Sequence, residues 1–416
     1  MTIDLSLYPD GTSLDAAGRL LIGGCSVAEV VAQHGTPAYL VDTAALHRHA
    51  ENYLRAFRER HADTRVLFAA KSFPSAAVIG RFVAAGCGVD TAAWGELRMA
   101  LAAGADPAGI VTHGNAKTDE DIAAALDAGV RYIVIDNLDD IERIARLATR
   151  RVPVLLRVSP SIIAATHEAM QTGHASSKFG IPPDQVPSVI RAVRAEPRLD
   201  LRGLHAHVGS QLHDLDQFRQ EVAALAEFEH FDVYDLGGGL GVRYVSDDPW
   251  VEVDDYAQVL TEEVHRRLGR EVELLVEPGR SLIARQVVTA YRTVTVKRGS
   301  RTHLAVDGGM GDNLEVSLYG QPFAPSVIDR TGPTEIVDVV GRHCESGDQL
   351  AGDVEVVSPV VGDLVTVPVT GAYCFTMSNN YNTALKPPVV FCQDGQARVA
   401  VRRQQFAELL AREVLV

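Results

Sequence analysis

The chain has 416 residues and carries 39 Lys+Arg against 54 Asp+Glu, a formal net charge of −15. With 46% hydrophobic and 22% charged residues its composition is ordinary for a globular protein, which excludes wholesale disorder and fibrous repeats. The acidic balance repels phosphate backbones and anionic bilayers, and no basic patch offsets it, so neither nucleic acid nor a membrane is an expected partner. No apolar stretch reaches the roughly 18 residues that cross a bilayer. The opening MTIDLSLYPD lacks a basic region followed by an apolar run. Five cysteines without C-x-x-C spacing argue against a disulfide framework or a structural zinc site. The expectation is a cytoplasmic enzyme with no resident metal.

In chain order, residues 1–35 form an N-terminal segment expected to join a β domain. The next domain is expected over 36–285, and from about residue 60 to 280 the chain keeps one rhythm, in which a short aliphatic run ends in a polar or glycine residue and an Ala-rich amphipathic stretch follows. The runs are Val66–Ala70, Gly88–Asp90, Ile110–Thr112, Tyr132–Ile135, Val152–Val158, Gly203–Val208, Val233–Leu236 and Glu273–Val276. The first four start 22 residues apart, room for one strand, one helix and two short loops. Eight alternating units predict an α/β fold, a parallel sheet closed into an N-terminal (β/α)8 TIM barrel, with an open doubly wound sheet as the competing arrangement. From 286 to 416 short strand-like runs are separated by Gly, Pro, Asp and Asn clusters, with a helical stretch only at Arg403–Val414. This predicts a C-terminal antiparallel β domain.

A barrel of this kind works at the carboxyl ends of its strands, where the sequence places Lys71, Asp90, His113, Asp136, Arg157, His207, Gly237–Gly239 and Glu277. Lys71 follows an apolar strand, and a desolvated lysine amine can form a Schiff base with an aldehyde. Asp235-Leu-Gly-Gly-Gly-Leu-Gly241 is a turn in which backbone N–H groups can approach a phosphate. It is not a dinucleotide fingerprint, because it follows the seventh strand and lacks G-x-G-x-x-G spacing. His207 offers a flat ring, Ser210 a hydroxyl, Glu277 a carboxylate and Arg280 a guanidinium. An aldehyde-capturing amine, a phosphate cradle, a stacking ring and a carboxylate suit pyridoxal 5'-phosphate, whose ring nitrogen needs an anionic partner to act as an electron sink.

These segments carry a resemblance. FAAKSF around Lys71, HGNAK at 113–117, HVGSQ at 207–211, DLGGGLG at 235–241, EPGR at 277–280, DGGM at 307–310, HCESGD at 343–348 and GAYCFTMSNNYN at 371–382 occur in family order over nearly the whole chain. The sequence resembles the alanine-racemase-fold (fold type III) pyridoxal-phosphate decarboxylases, and among them the diaminopimelate decarboxylases. The resemblance implies that Lys71 carries the cofactor, His207 stacks on its ring and Glu277 pairs with the pyridinium nitrogen. Ser210, Gly238, Gly239, Arg280 and Tyr373 would lie around the phosphate or the adjacent end of the substrate. It further implies a head-to-tail homodimer with shared sites, in which Cys344, near the reacting carbon, and Glu345, near the substrate's far end, come from the other subunit. The remaining cysteines, Cys25, Cys87, Cys374 and Cys392, read as small buried hydrophobes.

Racemases of the same fold place an arginine at the ring nitrogen, so Glu277 together with Cys344 favours decarboxylation. The implied reaction is conversion of meso-2,6-diaminopimelate to L-lysine and CO2. One departure bears on the substrate. The resembled motif reads D-N-x-R-x-x-L-Y, whereas Asp312–Tyr319 here keeps Tyr319 but has Glu315 in the arginine's place. Reversing that charge disfavours a carboxylate at the substrate's far end unless Arg280 compensates. Glu315 displayed on the surface with no substrate role is the other reading. The alternatives are therefore a paralogue acting on a related amino acid or conjugate in siderophore or antibiotic assembly, a racemase, or a catalytically silent regulatory homologue.

Overall fold

A computed structural model of the chain describes residues 3–160 and 177–414. It forms two compact units, one of Arg48–Val242 with Pro249–Leu282, the other of Met1–His47, Arg243–Asp248 and Ile283–Val416. The chain begins with a small antiparallel sheet of β1 (Ser13–Leu14), β2 (Leu20–Ile22) and β3 (Cys25–Ser26). Helix α1 (Val27–His34) is started by the Ser26 side chain, which accepts the Glu29 N–H. Strand β4 (Ala38–Asp42) is buried along its whole length and leads into α2 (Thr43–Arg58).

Eight strands then alternate with helices: β5 (Thr64–Ala69), α3 (Ala76–Ala85), β6 (Gly88–Thr91), α4 (Trp94–Ala102), β7 (Ile110–Thr112), α5 (Asp119–Ala128), β8 (Tyr132–Ile135), α6 (Leu138–Leu147), β9 (Val152–Arg157), α7 (Val186–Ala195), β10 (Leu199–His205), α8 (Asp216–Leu225), β11 (Val233–Asp235), α9 (Val253–Arg267) and β12 (Glu273–Val276). β5 to β12 close in sequential order into a barrel in which every neighbour is parallel. Closure settles the choice against an open sheet. Leu67, Val111, Tyr132, Val134, Leu155, Val233 and Leu275 form one buried apolar cluster from six of the eight strands. β10 differs from expectation. It begins at Leu199 and ends at His205 rather than running from 203 to 208, with a register shift against β9 between Leu201 and Gly203. A Cβ at Gly203 would lie 1.9 Å from the Val233 carbonyl oxygen, so only glycine lets β10 approach β11 there.

One buried cation organises the loops after β7 and β8. Lys117 donates to the carbonyls of Gly114 and Val134, each at 2.7 Å, and its Nζ lies 2.7 Å from Asp140 Oδ2. Three partners match the three N–H bonds of an ammonium. Asp140 Oδ2 also accepts the Asp136 N–H at 2.9 Å, which fixes the residue that follows β8. The basic residue of HGNAK is thus a structural pin, and the next residue, Thr118, caps α5 in a box with Asp121.

After α10 (Arg280–Ile283) the second unit holds β13 (Val287–Arg298), β14 (Thr302–Val306), α11 (Glu315–Tyr319), β15 (Ser326–Val327), β16 (Thr334–Val340), β17 (Gln349–Val357), β18 (Leu364–Val367), α12 (Cys374–Met377), β19 (Val389–Gln393), β20 (Gln396–Val401) and α13 (Phe406–Leu410). Its main sheet runs β17-β16-β14-β13-β4-β19-β20, with β18 also pairing with β13 and β15. It is mostly antiparallel, but β14–β16 and β4–β19 are parallel, which the expectation of an antiparallel domain did not include. The compact units also divide at 47/48 and 282/283 rather than at 35/36 and 285/286, because β4 pairs with β13 and β19 instead of with any barrel strand.

Asp312, in the loop after β14, is fully buried, accepts from Tyr291 Oη on one oxygen and takes the Gly309 N–H at 3.1 Å on the other. Burial pushes its carboxyl up to about 7.

Two measurements follow from these buried groups. Lys117→Met leaves the Asp140 carboxylate uncompensated and is expected to cost about 3–5 kcal/mol in denaturant unfolding. For Asp312, the folded chain keeps a proton that the unfolded chain loses near pH 3.8. The contribution of Asp312 to stability is therefore fully present below that pH, is lost as pH rises towards about 7 and is flat above. Asp312→Asn is expected to flatten this slope, on the order of 4 kcal/mol across the window, in pH-resolved unfolding.

Candidate active site

Side chains alternate along a strand, so the face that fills the barrel core continues, two residues at a time, to its carboxyl-terminal mouth. From core residues Val111, Val134, Leu155, Val233 and Leu275 this parity leads to His113, Asp136, Arg157, Asp235 and Glu277. His205 ends β10 in register with Asp235. Seven barrel polar residues near this end, Asp90, His113, Asp136, Arg157, His205, Asp235 and Glu277, are buried.

Glu277 is the centre of the group. His113 Nε2 lies 2.5 Å from its Oε1, and His205 Nε2 lies 3.4 Å from its Oε2. The ligand-type atoms of His113, His205, Asp235 and Glu277 all fall within 4.8 Å of one another. Burial acts to raise the Glu277 carboxyl, but the attraction of His113 and His205 outweighs it and holds the group well below the carboxylate range. The neighbours respond in the opposite sense. Burial first, and then the Glu277 charge, pushes Asp235 and Glu221 well up and also raises Asp90. Burial lowers His205 to about 3. The approach of His113 to Glu277 is close but poorly aligned. Among the described residues, neither His113 Nε2 nor Glu277 Oε1 makes a hydrogen bond of good geometry.

Lys71 stands in a 3-10 turn directly after β5, partly exposed, with its Nζ 3.4 Å from Asp90 Oδ2. Asp90 Oδ1 lies 3.5 Å from His113 Nε2. On the next part of the mouth, Arg157 reaches Asp136 at 3.3 Å and lies over the Phe179 ring, and Asp136 takes the Gly180 N–H at 3.0 Å.

The glycine turn after β11 ties three loops together. Asp235 Oδ1 accepts the Gly237 N–H at 3.0 Å, and the Gly237 carbonyl accepts the Glu277 N–H at 2.5 Å. A Cβ on Gly238 would meet the Glu277 carbonyl oxygen at 2.4 Å, and one on Gly239, at φ +117°, would meet the Gly209 oxygen at 2.6 Å. The Gly238 N–H donates to His207 Nδ1 at 3.2 Å, so this nitrogen is unprotonated. Burial, then the Lys71 and Arg157 charges, holds the ring neutral by lowering its pKa well below 6.5. His207 lies two residues beyond the end of β10 rather than on it, because the strand stops at His205. Arg280 Nε donates to Ser210 Oγ at 3.3 Å, joining the loops after β10 and β12.

The remaining candidates lie in the β unit. Cys344 and Glu345 are exposed, on a loop whose Asp348 accepts the N–H groups of Met310 and His343. The Cys344 N–H donates to Asn382 Oδ1 at 2.9 Å. The other four cysteines are buried, as expected. Tyr373 adopts φ +65°, a left-handed conformation uncommon for an aromatic residue. Glu315 is not on the surface. It is 1% exposed, and Tyr244 Oη donates to its Oε2 at 3.2 Å. Tyr319, at the other end of α11, is half-buried. His205, Asp235 and Glu221 are the members of the buried group that the sequence reading left unassigned. The two-residue step back from the glycine turn to Val233 was a usable signal for Asp235. For Glu221, inside a helix, no signal existed.

Residues 44–284 match the pyridoxal-binding domain of the pyridoxal-dependent decarboxylases. The chain is 40% identical to a diaminopimelate decarboxylase of Actinosynnema pretiosum over 99% of this chain and 96% of that one. It is 34% identical to one of Bacillus subtilis over 97% of each. Among solved structures, diaminopimelate decarboxylase from M. jannaschii in complex with L-lysine superposes with a TM-score of 0.92 at 26% identity, covering 98% of both chains. The Helicobacter pylori enzyme, also with L-lysine, gives 0.86 at 27% identity over 92% of this chain and 98% of that one. The residues here fit a pyridoxal cofactor. Glu277 offers a buried anionic oxygen without an aligned protein donor, suited to a protonated ring nitrogen, and Lys71 offers an amine on the same barrel. With that fit, a family match over more than half the chain and full-length relatives at this identity, the chain belongs to the pyridoxal-dependent decarboxylases.

Proposed function

We propose that this chain removes CO2 from meso-2,6-diaminopimelate to give L-lysine, using pyridoxal 5'-phosphate, as a cytoplasmic homodimer. The observation that carries the reading is Glu277, a buried carboxylate at the end of β12 with His113 and His205 at its two oxygens, in the unit that presents Lys71. Bound pyridoxal phosphate supplies an aldehyde for amines and a protonated ring that accepts the electron pair left when the carboxylate departs. Lys71 would hold the cofactor through its amine, which stands directly after β5. Glu277 keeps the ring nitrogen protonated, and an anionic partner here is what full electron withdrawal needs. His207, held neutral and oriented by the Gly238 N–H, offers a face for the ring to stack on. Ser210, Gly238, Gly239, Arg280 and Tyr373 hold the phosphate or the substrate end beside it.

Cys344 and Glu345 are exposed on a loop fixed by Asp348, so in the dimer they complete the site of a second copy. Cys344 then delivers the proton to Cα, and Glu345, with Tyr319, meets the substrate's far end. Free cysteines support a reducing compartment. Among the described residues no helix is long and apolar enough to cross a membrane.

Glu315 favours a second reading. A buried acid held by Tyr244, where the resembled motif has arginine, suits a substrate whose far end is an amine or a neutral group.

CO2 release from the cofactor-loaded protein, with meso-diaminopimelate, D- and L-lysine, D- and L-ornithine and arginine in parallel, separates the two. Release from meso-diaminopimelate is expected. Silence there, with release from another amine or activity gained in Glu315→Arg, establishes the second reading instead. Lys71→Ala is expected to lower release about a thousandfold or more and to abolish the visible absorbance of bound cofactor.

A further inference from the structure

The groups at the barrel mouth form a connected series. Lys71 Nζ is 3.4 Å from Asp90 Oδ2, Asp90 Oδ1 is 3.5 Å from His113 Nε2, and His113 Nε2 is 2.5 Å from Glu277 Oε1. A single ring nitrogen therefore faces two buried carboxylates. The His113 backbone is fixed by its N–H donating to the Thr91 carbonyl at 2.8 Å, and its ring packs against His205 with centroids 4.6 Å apart.

We propose that His113 is a positioning residue that couples Lys71 to Glu277, so that capture of an aldehyde at Lys71 releases Glu277 to pair with the ring nitrogen. This rests on the cofactor reading above and deepens it. One Nε2 proton cannot serve both carboxylates at once. While Lys71 is a cation it balances Asp90, and the close but poorly aligned approach of His113 Nε2 is left to Glu277. Condensation of the Lys71 amine with the aldehyde forms a C=N bond, expels the carbonyl oxygen as water and passes the ammonium proton to solvent, which the partly exposed side chain reaches. Asp90 then loses its cation and draws on His113. The hold on Glu277 then weakens, and the ring nitrogen becomes its best available donor. At separations of 2.5–3.5 Å inside a barrel these attractions are strong enough to redistribute a proton.

Other groups also face this series. They are Glu96 on α4, Asp136 after β8, Arg157 on β9, His205 on β10, His207 beyond it, Glu221 on α8 and Asp235 on β11. Only His113 lies within 3.5 Å of both Asp90 and Glu277 among the described ion pairs.

The test compares cofactor-loaded wild type, His113→Gln, Asp90→Asn and the double variant. The readouts are the pH midpoint of the bound cofactor's visible absorbance and the rate of cofactor loss after dilution. Each single variant is expected to move the midpoint by about half a pH unit or more and to speed cofactor loss about tenfold. The double variant is expected to match the larger single effect, since both break one link. A His113→Gln midpoint equal to that of wild type, or additive shifts in the double variant, overturns the coupling.

A second measurement needs no variant. Imidazole nitrogen NMR of the cofactor-free protein is recorded with pyridoxal phosphate and with pyridoxine phosphate, an alcohol that Lys71 cannot capture. A His113 signal that moves further with the aldehyde supports the coupling, and equal shifts refute it. Absence of Lys71-dependent absorbance in the wild type is a different failure, one that overturns the cofactor reading itself.

Discussion

One negative charge, buried at the end of β12, sets the terms for everything around it. An isolated carboxylate in a protein interior is costly and ordinarily takes up a proton. Glu277 escapes this because imidazoles on β10 and just after β7 approach its two oxygens. Asp235, Glu221 and Asp90 then bear the consequence, since burial pushes each towards its neutral form and the charge that Glu277 keeps adds to the push. The site is thus a cluster of four carboxyl groups in which burial favours the protonated form of the neighbours while the imidazoles favour the ionised form of Glu277. For a carbanion-forming reaction that division of labour matters, because an electron sink depends on a ring nitrogen that stays protonated.

The glycine turn serves the same end by a steric route. Gly238 and Gly239 are required by the backbones of the loops after β12 and β10, which pass too close for any Cβ. The turn therefore determines where Glu277 begins and how the His207 ring is oriented, through one carbonyl and one N–H. Whatever these amides do for a phosphate, they already connect the acid and the stacking ring. Asp235 closes the connection by holding Gly237.

Much of this was legible before any coordinates. The barrel strands announce themselves as β-branched or aliphatic runs, the first four at even spacing, and seven of the eight lie within two residues of their expected bounds. β10 was misjudged because its first residues, Leu199-Asp-Leu-Arg, look like a loop, and the register shift that accommodates them depends on contact with β9. Lys117 shows a different limit. A lysine in a loop motif reads as a cofactor or solvent contact, and only the folded chain reveals carbonyls from two separate segments converging on it. The parallel pairs of the β unit were hidden for the same reason, since periodicity reports a strand but not its neighbour. Glu315 was visible as a departure from a motif, but its burial against Tyr244 depends on a segment 71 residues away.

The place of β4 in its sheet has a consequence for how the chain is made. This strand leaves the ribosome before the barrel, yet its hydrogen-bonding neighbours β13 and β19 are synthesised after it. The barrel is in effect a long insertion into another unit, and β4 must wait with both edges open while that insertion is translated. Its five residues are all buried in the finished protein, so the waiting strand is an apolar template for wrong pairing. A barrel excised from residue 36 would carry this orphan strand with it, whereas one excised from residue 48 would leave it behind.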